Sequence, residues 1–427
     1  MCLIMSNISP WKKDFPIFVP QAQPYLCYFN TAATCLTPKH VAEAMFHYQC
    51  YSHANTHAIH SKDELSLFSI NKVEQAREKV ADFIGAQQRQ SIVFNTGATE
   101  GINLVAKSYV EPLIKEALNK QVQCNIVITE AEHHANILIW QQLSQQYQIE
   151  LRIAPIAKNG LIDLAKLAAL LDRQTCILAF SHCSNVIGKQ NPVEKICQIA
   201  KSKNIATLID GAQAVLRYQT DVSKIDCDFY VFSAHKIYGP TGCGVLYVKP
   251  ALFTELKPHY WGDAMMKNVD FQHSEFVNSP ALIEPGTLNV VSIVGLVEAL
   301  DYLNDLSMKD INLYLDDLAM YLHKSLGELS FFRSVVDEKI TLMPNKMASI
   351  VSFQCKDLHC QDVASLLASE NITLSSGRHS AHPLHKALGV NETLRVSLGL
   401  YNGYADIDKL ITGLNHSHQM MALEHFA

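Results

Sequence analysis

One lysine in this chain stands where covalent chemistry is possible. Lys236 follows the apolar run 229–232 and precedes a glycine-rich turn. A second apolar run, 205–209, ends at Asp210. A lysine that forms a Schiff base with pyridoxal phosphate (PLP) needs an acidic partner for the pyridinium nitrogen. We therefore interpret Lys236 and Asp210 as such a pair, although a lone lysine is usually only a solvated surface charge.

The segment 95–101 has the residue types of a phosphate site. It follows an apolar run and begins a predicted helix. Free backbone N–H groups, including that of Ala98, and the Thr99 hydroxyl would lie at the positive end of the helix dipole. Ser233 and His235 would add donors from the lysine turn. The alternative is that Thr99 only caps the helix.

Three further polar residues follow or interrupt apolar runs. His133 is placed to stack on a flat ring and to exchange protons near it. Asn185 is expected to hydrogen-bond the cofactor or the substrate. Arg395 lies in the apolar pattern 393–397, where a guanidinium is costly to bury unless an anion meets it. We predict a bidentate clamp on a substrate carboxylate, with a structural salt bridge as the alternative.

These residues need elements that bring strand ends together. Short apolar runs alternate with helical patterns from residue 63 to residue 248. The runs lie at 92–94, 125–128, 176–180, 206–209, 229–232 and 244–248, the last two as a hairpin. This alternation predicts an α/β fold with a mainly parallel sheet. Polar groups at the ends of such strands converge on one edge.

The C-terminal third has a different pattern. Residues 290–326 read as helical, and the last hundred residues mix strands with helices. We predict a large PLP-binding domain over 26–300 and a smaller α+β domain formed by 1–25 and 301–427. One continuous domain is the alternative.

Composition excludes several classes of function. The 427-residue chain has a net charge of −6 and no prominent run of basic residues, so we predict no binding to nucleic acid or to an anionic membrane, although isolated basic patches stay open. No segment approaches the ~20 apolar residues that span a bilayer. Twelve cysteines without a CxxC pair, and an N-terminus unlike a signal peptide, predict reduced thiols and a cytoplasmic location. We predict no metal site, because no recognised ligand spacing surrounds His53, His57 and His60 or His379, His382 and His385.

Taken in order, these motifs resemble the cysteine desulfurases of the class V aminotransferase family. The similar branch also includes cysteine sulfinate desulfinases and selenocysteine lyases. The resemblance runs from about residue 25 to about residue 414. Its motifs are 28–33, 96–106, 132–136, 184–186, 210–215, 227–244 and 284–289.

The resemblance implies a homodimeric fold-type I PLP-dependent transferase or lyase with a large seven-stranded-type sheet. Lys236 would bind the cofactor aldehyde, Asp210 the ring nitrogen, and Gln213 the phenolic oxygen, while His133 would stack on the ring. The phosphate would be held by Ala98, Thr99, Ser233 and His235, with Thr287 from the other subunit. Asn185 and Arg395 would bind the carboxylate of a small amino acid substrate. A sulfur-accepting protein is a possible partner.

The resemblance breaks where the family places its persulfide-forming cysteine. The family pattern is Arg-x-Gly-x-His-Cys-Ala-x-Pro, and this chain has Ser-Ser-Gly-Arg-His-Ser-Ala-His-Pro at 375–383. Ser380 thus occupies the cysteine position, Ser375 replaces an arginine, and Arg378 appears nearby as a candidate substrate-binding residue. The family's Asn-x-His-Arg stretch reads Asn-Thr-His-Ala at 55–58.

Ser380 stands at a catalytic position, and it affects only the sulfur-transfer step of the expected chemistry. A thiol with a pKa near 8.5 supplies thiolate at neutral pH, whereas a hydroxyl is a weak nucleophile without a dedicated base. An engineered single change would explain Ser380 but not Ser375, Arg378 and Ala58, so a natural departure is favoured. Cys183 is conceivable as a relocated thiol, but its strand position favours a small buried residue.

Three functions follow from this sequence. The first is a PLP-dependent lyase that acts on the β-substituent of a cysteine-like amino acid through Lys236, with persulfide relay doubtful. The second is a repurposed class V transaminase, epimerase or decarboxylase of a biosynthetic pathway. The third is a non-catalytic, desulfurase-like binding protein.

Overall fold

The chain folds as an α/β protein built on two main sheets. The computed structural model describes residues 7–23, 25–54, 56, 63–336 and 349–424. Its α-helices are α1 Lys39–Tyr51, α2 Glu64–Ile84, α3 Ala98–Val105, α4 Glu111–Asn119, α5 Ala135–Tyr147, α6 Leu164–Leu170, α7 Val193–Lys201, α8 Val222–Ile225, α9 Val290–Leu306, α10 Met308–Gly327, α11 Cys360–Ser369, α12 His382–Ala387 and α13 Tyr404–Glu424. Its strands are β1 Cys27–Tyr28, β2 Ile92–Asn95, β3 Asn125–Thr129, β4 Glu150–Ala154, β5 Thr175–Ser181, β6 Ala206–Asp210, β7 Phe229–Ser233, β8 Gly244–Val248, β9 Met266–Val269, β10 Ser274–Phe276, β11 Phe332–Ser334, β12 Ile350–Cys355, β13 Ile372–Thr373, β14 Ser375–Gly377 and β15 Thr393–Ser397.

The larger sheet has seven strands in the order β2-β8-β7-β6-β5-β3-β4. Strand β8 runs antiparallel to both of its neighbours, and the remaining pairs are parallel. The mainly parallel sheet and the β7–β8 hairpin are therefore confirmed. Because parallel strands end on the same side, the C-terminal ends of β3, β5, β6 and β7 meet at one edge.

Both faces of this sheet are covered. Along β7, Tyr230 and Phe232 belong to one apolar cluster, and Phe229 and Val231 belong to the other. Alternate residues of a strand point to opposite faces, so both sets are buried. This explains why the strands read as continuous apolar runs in the sequence.

The smaller sheet is antiparallel, in the order β11-β12-β15-β14. It places Arg395 of β15 between Ser352 of β12 and Ser375 of β14. Phe353 of β12 shares an apolar cluster with Phe232 of β7, so the two sheets have a common core. The division into domains at residues 25 and 300 stays a prediction. Within the described part of the chain, no helix is both long and apolar enough to cross a membrane.

Candidate active site

A cavity of about 240 Å³ lies at the edge where the parallel strands end. It is formed by loops that follow β3, β5, β6 and β7 and by the start of α3. Nine residues predicted from the sequence line it: Ala98, Thr99, His133, Asn185, Asp210, Gln213, Ser233, His235 and Lys236. The structure therefore brings these nine residues together.

Lys236 ends the single turn of 3-10 helix, Ala234–Lys236, that follows β7. Its Nζ donates to the carbonyl oxygens of Ala32 (2.5 Å) and Ala33 (2.7 Å). Burial, reinforced by the nearby Arg395 guanidinium, lowers the pKa of Lys236 to about 8. A larger fraction of the amine is therefore neutral and nucleophilic near neutral pH than for an ordinary lysine.

Asp210, the last residue of β6, is buried in the same cavity wall. Its Oδ1 accepts a hydrogen bond from the N–H of Ala212 at 3.0 Å. Burial raises the pKa of Asp210, while this N–H and the Lys236 charge oppose the rise. The carboxyl thus lies in an apolar setting where a bound cation is its natural partner.

His133 follows β3 and is held in one tautomer. Its Nδ1 accepts the N–H of Ala135 at 3.1 Å, so the proton of the neutral ring is on Nε2. Burial lowers the pKa of His133, and the charges of Lys236 and Arg395 lower it further. The ring is therefore neutral at neutral pH, which suits a flat face placed against a cofactor ring.

Glu132 supports this loop and was not singled out from the sequence. It is completely buried, and its carboxyl accepts hydrogen bonds from the Thr129 hydroxyl, Asn136 Nδ2 (2.7 Å) and the Ser181 N–H (3.0 Å). Burial raises the pKa of Glu132 to about 8. In the sequence, only its position next to His133 could have identified Glu132 as part of the site.

The predicted phosphate site lies where the start of α3 approaches the end of β7 closely. The N–H of Ala98, the first residue of α3, donates to Ser233 Oγ at 2.8 Å. A Cβ on Gly97 would lie 3.2 Å from the same oxygen, so glycine permits the approach. His235 Nδ1 lies 3.1 Å from Thr34 Oγ1, and burial lowers the pKa of His235 to about 4.

These residues fit PLP. A helix N-terminus with a serine hydroxyl lies at one part of the cavity, and an amine with a lowered pKa and a buried carboxyl lie at the others. By their chemistry, the three groups could hold the phosphate, the aldehyde and the ring nitrogen of the cofactor.

Arg395 is buried without a carboxylate partner among the described residues. Its Nη1 donates to the carbonyl of Asn185 (3.1 Å) and its Nη2 to Ser375 Oγ (3.3 Å), whereas its buried Nε has no hydrogen-bond partner. Burial lowers the pKa of Arg395 to about 10. The predicted alternative, a structural salt bridge, is not formed by any carboxylate in the described part of the chain. An incoming anion would satisfy both the charge and the free N–H.

The segment 378–381, here called the Ser380 loop, docks beside the cavity. His379 and Ser380 have left-handed φ values of 46° and 54°. The carbonyl of His379 accepts Asn185 Nδ2 (2.7 Å), and that of Ser380 accepts the N–H of His134 (2.7 Å). Ser380 itself is exposed.

Four of the predicted residues do not line this cavity: Arg395, Ser380, Arg378 and Thr287. Ser380 lies beside the cavity rather than in its wall. Arg378 is exposed, and its Nε donates a hydrogen bond to the carbonyl of Asn391 at 2.9 Å. Thr287 lines a separate cavity of about 420 Å³ with Thr96, Glu100 and Trp261. The departure Ala58, the matching Asn55 and His57 beside it, and also His60 lie outside the described residues.

Neither a relocated thiol nor a metal-binding group is supported by the described residues. Cys183 lines the cavity but is only 3% exposed, within an apolar cluster with Ala32 and Tyr218. Across the described ranges, no three or more His, Cys, Asp or Glu side chains are grouped so as to hold a metal ion.

Comparison with known proteins agrees with this geometry. The model of the aminotransferase class-V family matches residues 27–410. Cysteine desulfurases of Yersinia pestis bv. Antiqua (strain Angola) and Yersinia pseudotuberculosis serotype IB (strain PB1/+) are each 38% identical over 415 residues, which cover 96% of this chain and 98% of theirs.

Solved structures give the same result. The cysteine desulfurase CsdA from Escherichia coli has a TM-score of 0.86 at 32% identity, over 98% of this chain and 99% of that one. A cysteine desulfurase from Thermococcus onnurineus NA1 has a TM-score of 0.87 at 30% identity, over 97% and 99%. The predicted family, the fold-type I α/β architecture and PLP dependence are thereby confirmed.

Proposed function

The chain belongs to the class V aminotransferase family of PLP-dependent enzymes, and from this premise we propose which reaction it performs. It acts on the β-substituent of a small, cysteine-like amino acid, without a protein thiol to receive sulfur. The observation that supports this most is the placement of Lys236 and Asp210 in one cavity, beside a loop in which serine stands at the cysteine position.

Three residues that line the cavity, Lys236, Asp210 and Asn185, and the buried Arg395 that contacts Asn185 have defined tasks in this proposal. When bound, PLP supplies the electron sink for the pair left on the substrate α-carbon. Lys236 Nζ anchors the cofactor and, as a neutral amine, removes the α-proton. Asp210 holds the proton of the ring nitrogen. Asn185 and Arg395 bind the substrate carboxylate, with the unpartnered Nε of Arg395 as the supporting observation.

The hydroxyl of Ser380 sets the range of leaving groups. A neutral hydroxyl does not attack substrate sulfur, because its alkoxide is inaccessible at neutral pH and no base among the described residues is hydrogen-bonded to it. The β-substituent must then leave without a protein nucleophile. Sulfinate, a selenolate and the β-carboxylate of aspartate have this capacity, because they can depart as sulfur dioxide, elemental selenium and carbon dioxide. The β-carbon keeps the electron pair of the broken bond and gains a proton, which gives alanine.

We further propose a homodimer. Thr287 lies away from Lys236 in its own chain, next to Trp261, whose side chain is 69% exposed. An exposed tryptophan beside an open cavity is typical of a surface that another subunit covers. A sulfur-acceptor protein remains a candidate partner only if sulfur transfer occurs.

The test is an amino acid panel on the PLP-loaded protein. We expect alanine to be released from cysteine sulfinate or selenocysteine, and no transferable persulfide to form from cysteine. Lys236→Ala should abolish turnover, whereas Lys120→Ala, which removes an exposed lysine paired with Glu116, should not. A persulfide on the wild-type protein would refute the loss of sulfur relay, and exchange with pyruvate would favour a transaminase instead.

A further inference from the structure

We propose that His134 is a positioning residue that fixes the Ser380 loop against Asn185 and thereby orients the carboxylate-binding half of the cavity. This inference rests on the proposed function only in that Asn185 and Arg395 are taken as the carboxylate site.

His134 contacts the loop region at two points. Its backbone N–H donates to the carbonyl of Ser380 at 2.7 Å. Its side-chain Nε2 accepts the N–H of His382 at 3.2 Å. The rings of His134 and His382 also pack edge to face, with centroids 4.5 Å apart. One residue at the start of α5 therefore holds the chain at Ser380 and again two residues later.

The loop in turn holds Asn185. The carbonyl of His379 accepts Asn185 Nδ2–H at 2.7 Å, which fixes the orientation of the side-chain amide. The backbone carbonyl of Asn185 accepts Arg395 Nη1 at 3.1 Å. A continuous set of contacts therefore runs from His134 through the loop to both groups proposed to bind the carboxylate.

The loop needs such support because its backbone is unfavourable. Two consecutive non-glycine residues, His379 and Ser380, have left-handed φ values, which are unfavourable and persist only where surrounding contacts impose them. A second anchor, His379 Nε2 to Thr393 Oγ1 at 2.9 Å, lies on the far side. The contacts of His134 hold the opposite side of the loop.

The contact also defines a protonation state. Because Nε2 accepts a hydrogen bond, His134 must be neutral, with its proton on Nδ1. The titratable groups that face it are His382 across the loop and His133 on its own segment. Burial and these two histidines lower the pKa of His134, which favours the accepting form. Acid below this lowered pKa should release the contact.

The experiment compares His134→Leu with His134→Gln in the PLP-loaded protein. The probes are L-alanine and L-alaninamide, which lacks the carboxylate, titrated by the cofactor absorbance. We expect His134→Leu to weaken L-alanine about tenfold, the effect of one lost hydrogen bond, and to leave L-alaninamide unchanged. The Gln side-chain oxygen can accept the His382 N–H, so His134→Gln should restore the wild-type preference. In the wild type, acid should reduce the preference for L-alanine over L-alaninamide, whereas in His134→Gln this preference should not depend on pH.

The outcomes separate the two proposals. His416→Leu, which changes an exposed histidine paired with Glu370, is the matched control and should have no effect. Equal weakening of both probes by His134→Leu, or no change in either, would overturn the positioning role. A wild-type protein that binds both probes alike would instead refute the carboxylate site, and the inference with it.

Discussion

At the scale of single residues, the chemistry at position 380 depends on one atom. Ser380 is exposed on a loop that docks beside the cavity, and a thiol there would be ionised to a useful extent near neutral pH. A thiolate attacking the substrate sulfur forms an S–S bond as the C–S bond breaks, and the carbon keeps the electron pair and gains a proton. The result is a persulfide and alanine.

Ser380→Cys should therefore add sulfur relay. We expect alanine release from cysteine to rise at least about tenfold in the presence of a reductant, because a thiolate is a far better nucleophile than a hydroxyl. In a reaction without the reductant, which would remove the outer sulfur, mass spectrometry should find one added sulfur on the new thiol. Ser376→Cys on neighbouring β14, where the hydroxyl bonds Gln361, is the control. Persulfide on both variants, or on neither, would contradict this role for the loop.

The residues of the site were predictable to different degrees. Lys236, Asp210 and His133 each follow an apolar strand, so strand ends identified them. The acceptors of Lys236 are backbone carbonyls of Ala32 and Ala33, which have no side-chain signature in a sequence. Their role depends on where the chain passes in space.

At the scale of elements, Glu132 joins the end of β3 to α5 and β5. Burial raises the pKa of its carboxyl to about 8, so between the unfolded-state pKa and this value the folded state binds more protons than the unfolded state. The free energy of unfolding should then fall as pH rises through this window.

Glu132→Gln should remove that pH dependence. A neutral amide cannot ionise, so the variant should gain stability relative to the wild type by up to about 1.4 kcal/mol per pH unit between about pH 5 and pH 8. Urea unfolding of the cofactor-free protein at several pH values measures this difference. Glu194→Gln, exposed on α7, is the control. Parallel curves for the wild type and Glu132→Gln would show that this carboxyl does not titrate in the window.

Elements also differ in how well the sequence predicts them. The central strands were found because both faces are buried. Strand β4, at the edge of the sheet and mostly exposed or half-buried, mixes polar with apolar residues and was not predicted. Strand β14 was taken only as part of the cysteine-loop motif, because its Ser-Ser-Gly sequence has little strand propensity and depends on pairing with β15.

At the scale of the whole molecule, the position of Thr287 bears on whether two subunits of a dimer share residues in one active site. Its cavity and that of Lys236 are separate within one chain. If Thr287 of the partner subunit completes the phosphate site, each site of a dimer would combine residues from two chains. A sequence specifies both surfaces but not which chain supplies which residue.

Hybrid dimers test this arrangement. A dimer of one Lys236→Ala chain and one Thr287→Ala chain would contain one fully intact site, because the unchanged lysine would face the unchanged threonine across the interface. We expect isolated hybrids to retain PLP through dialysis at about half of their sites, more than either parent dimer. Thr254→Ala, which removes an exposed hydroxyl on the surface, should retain PLP like the wild type. If Thr287 acted within its own chain, neither hybrid site would be intact, and retention would not exceed that of the better parent.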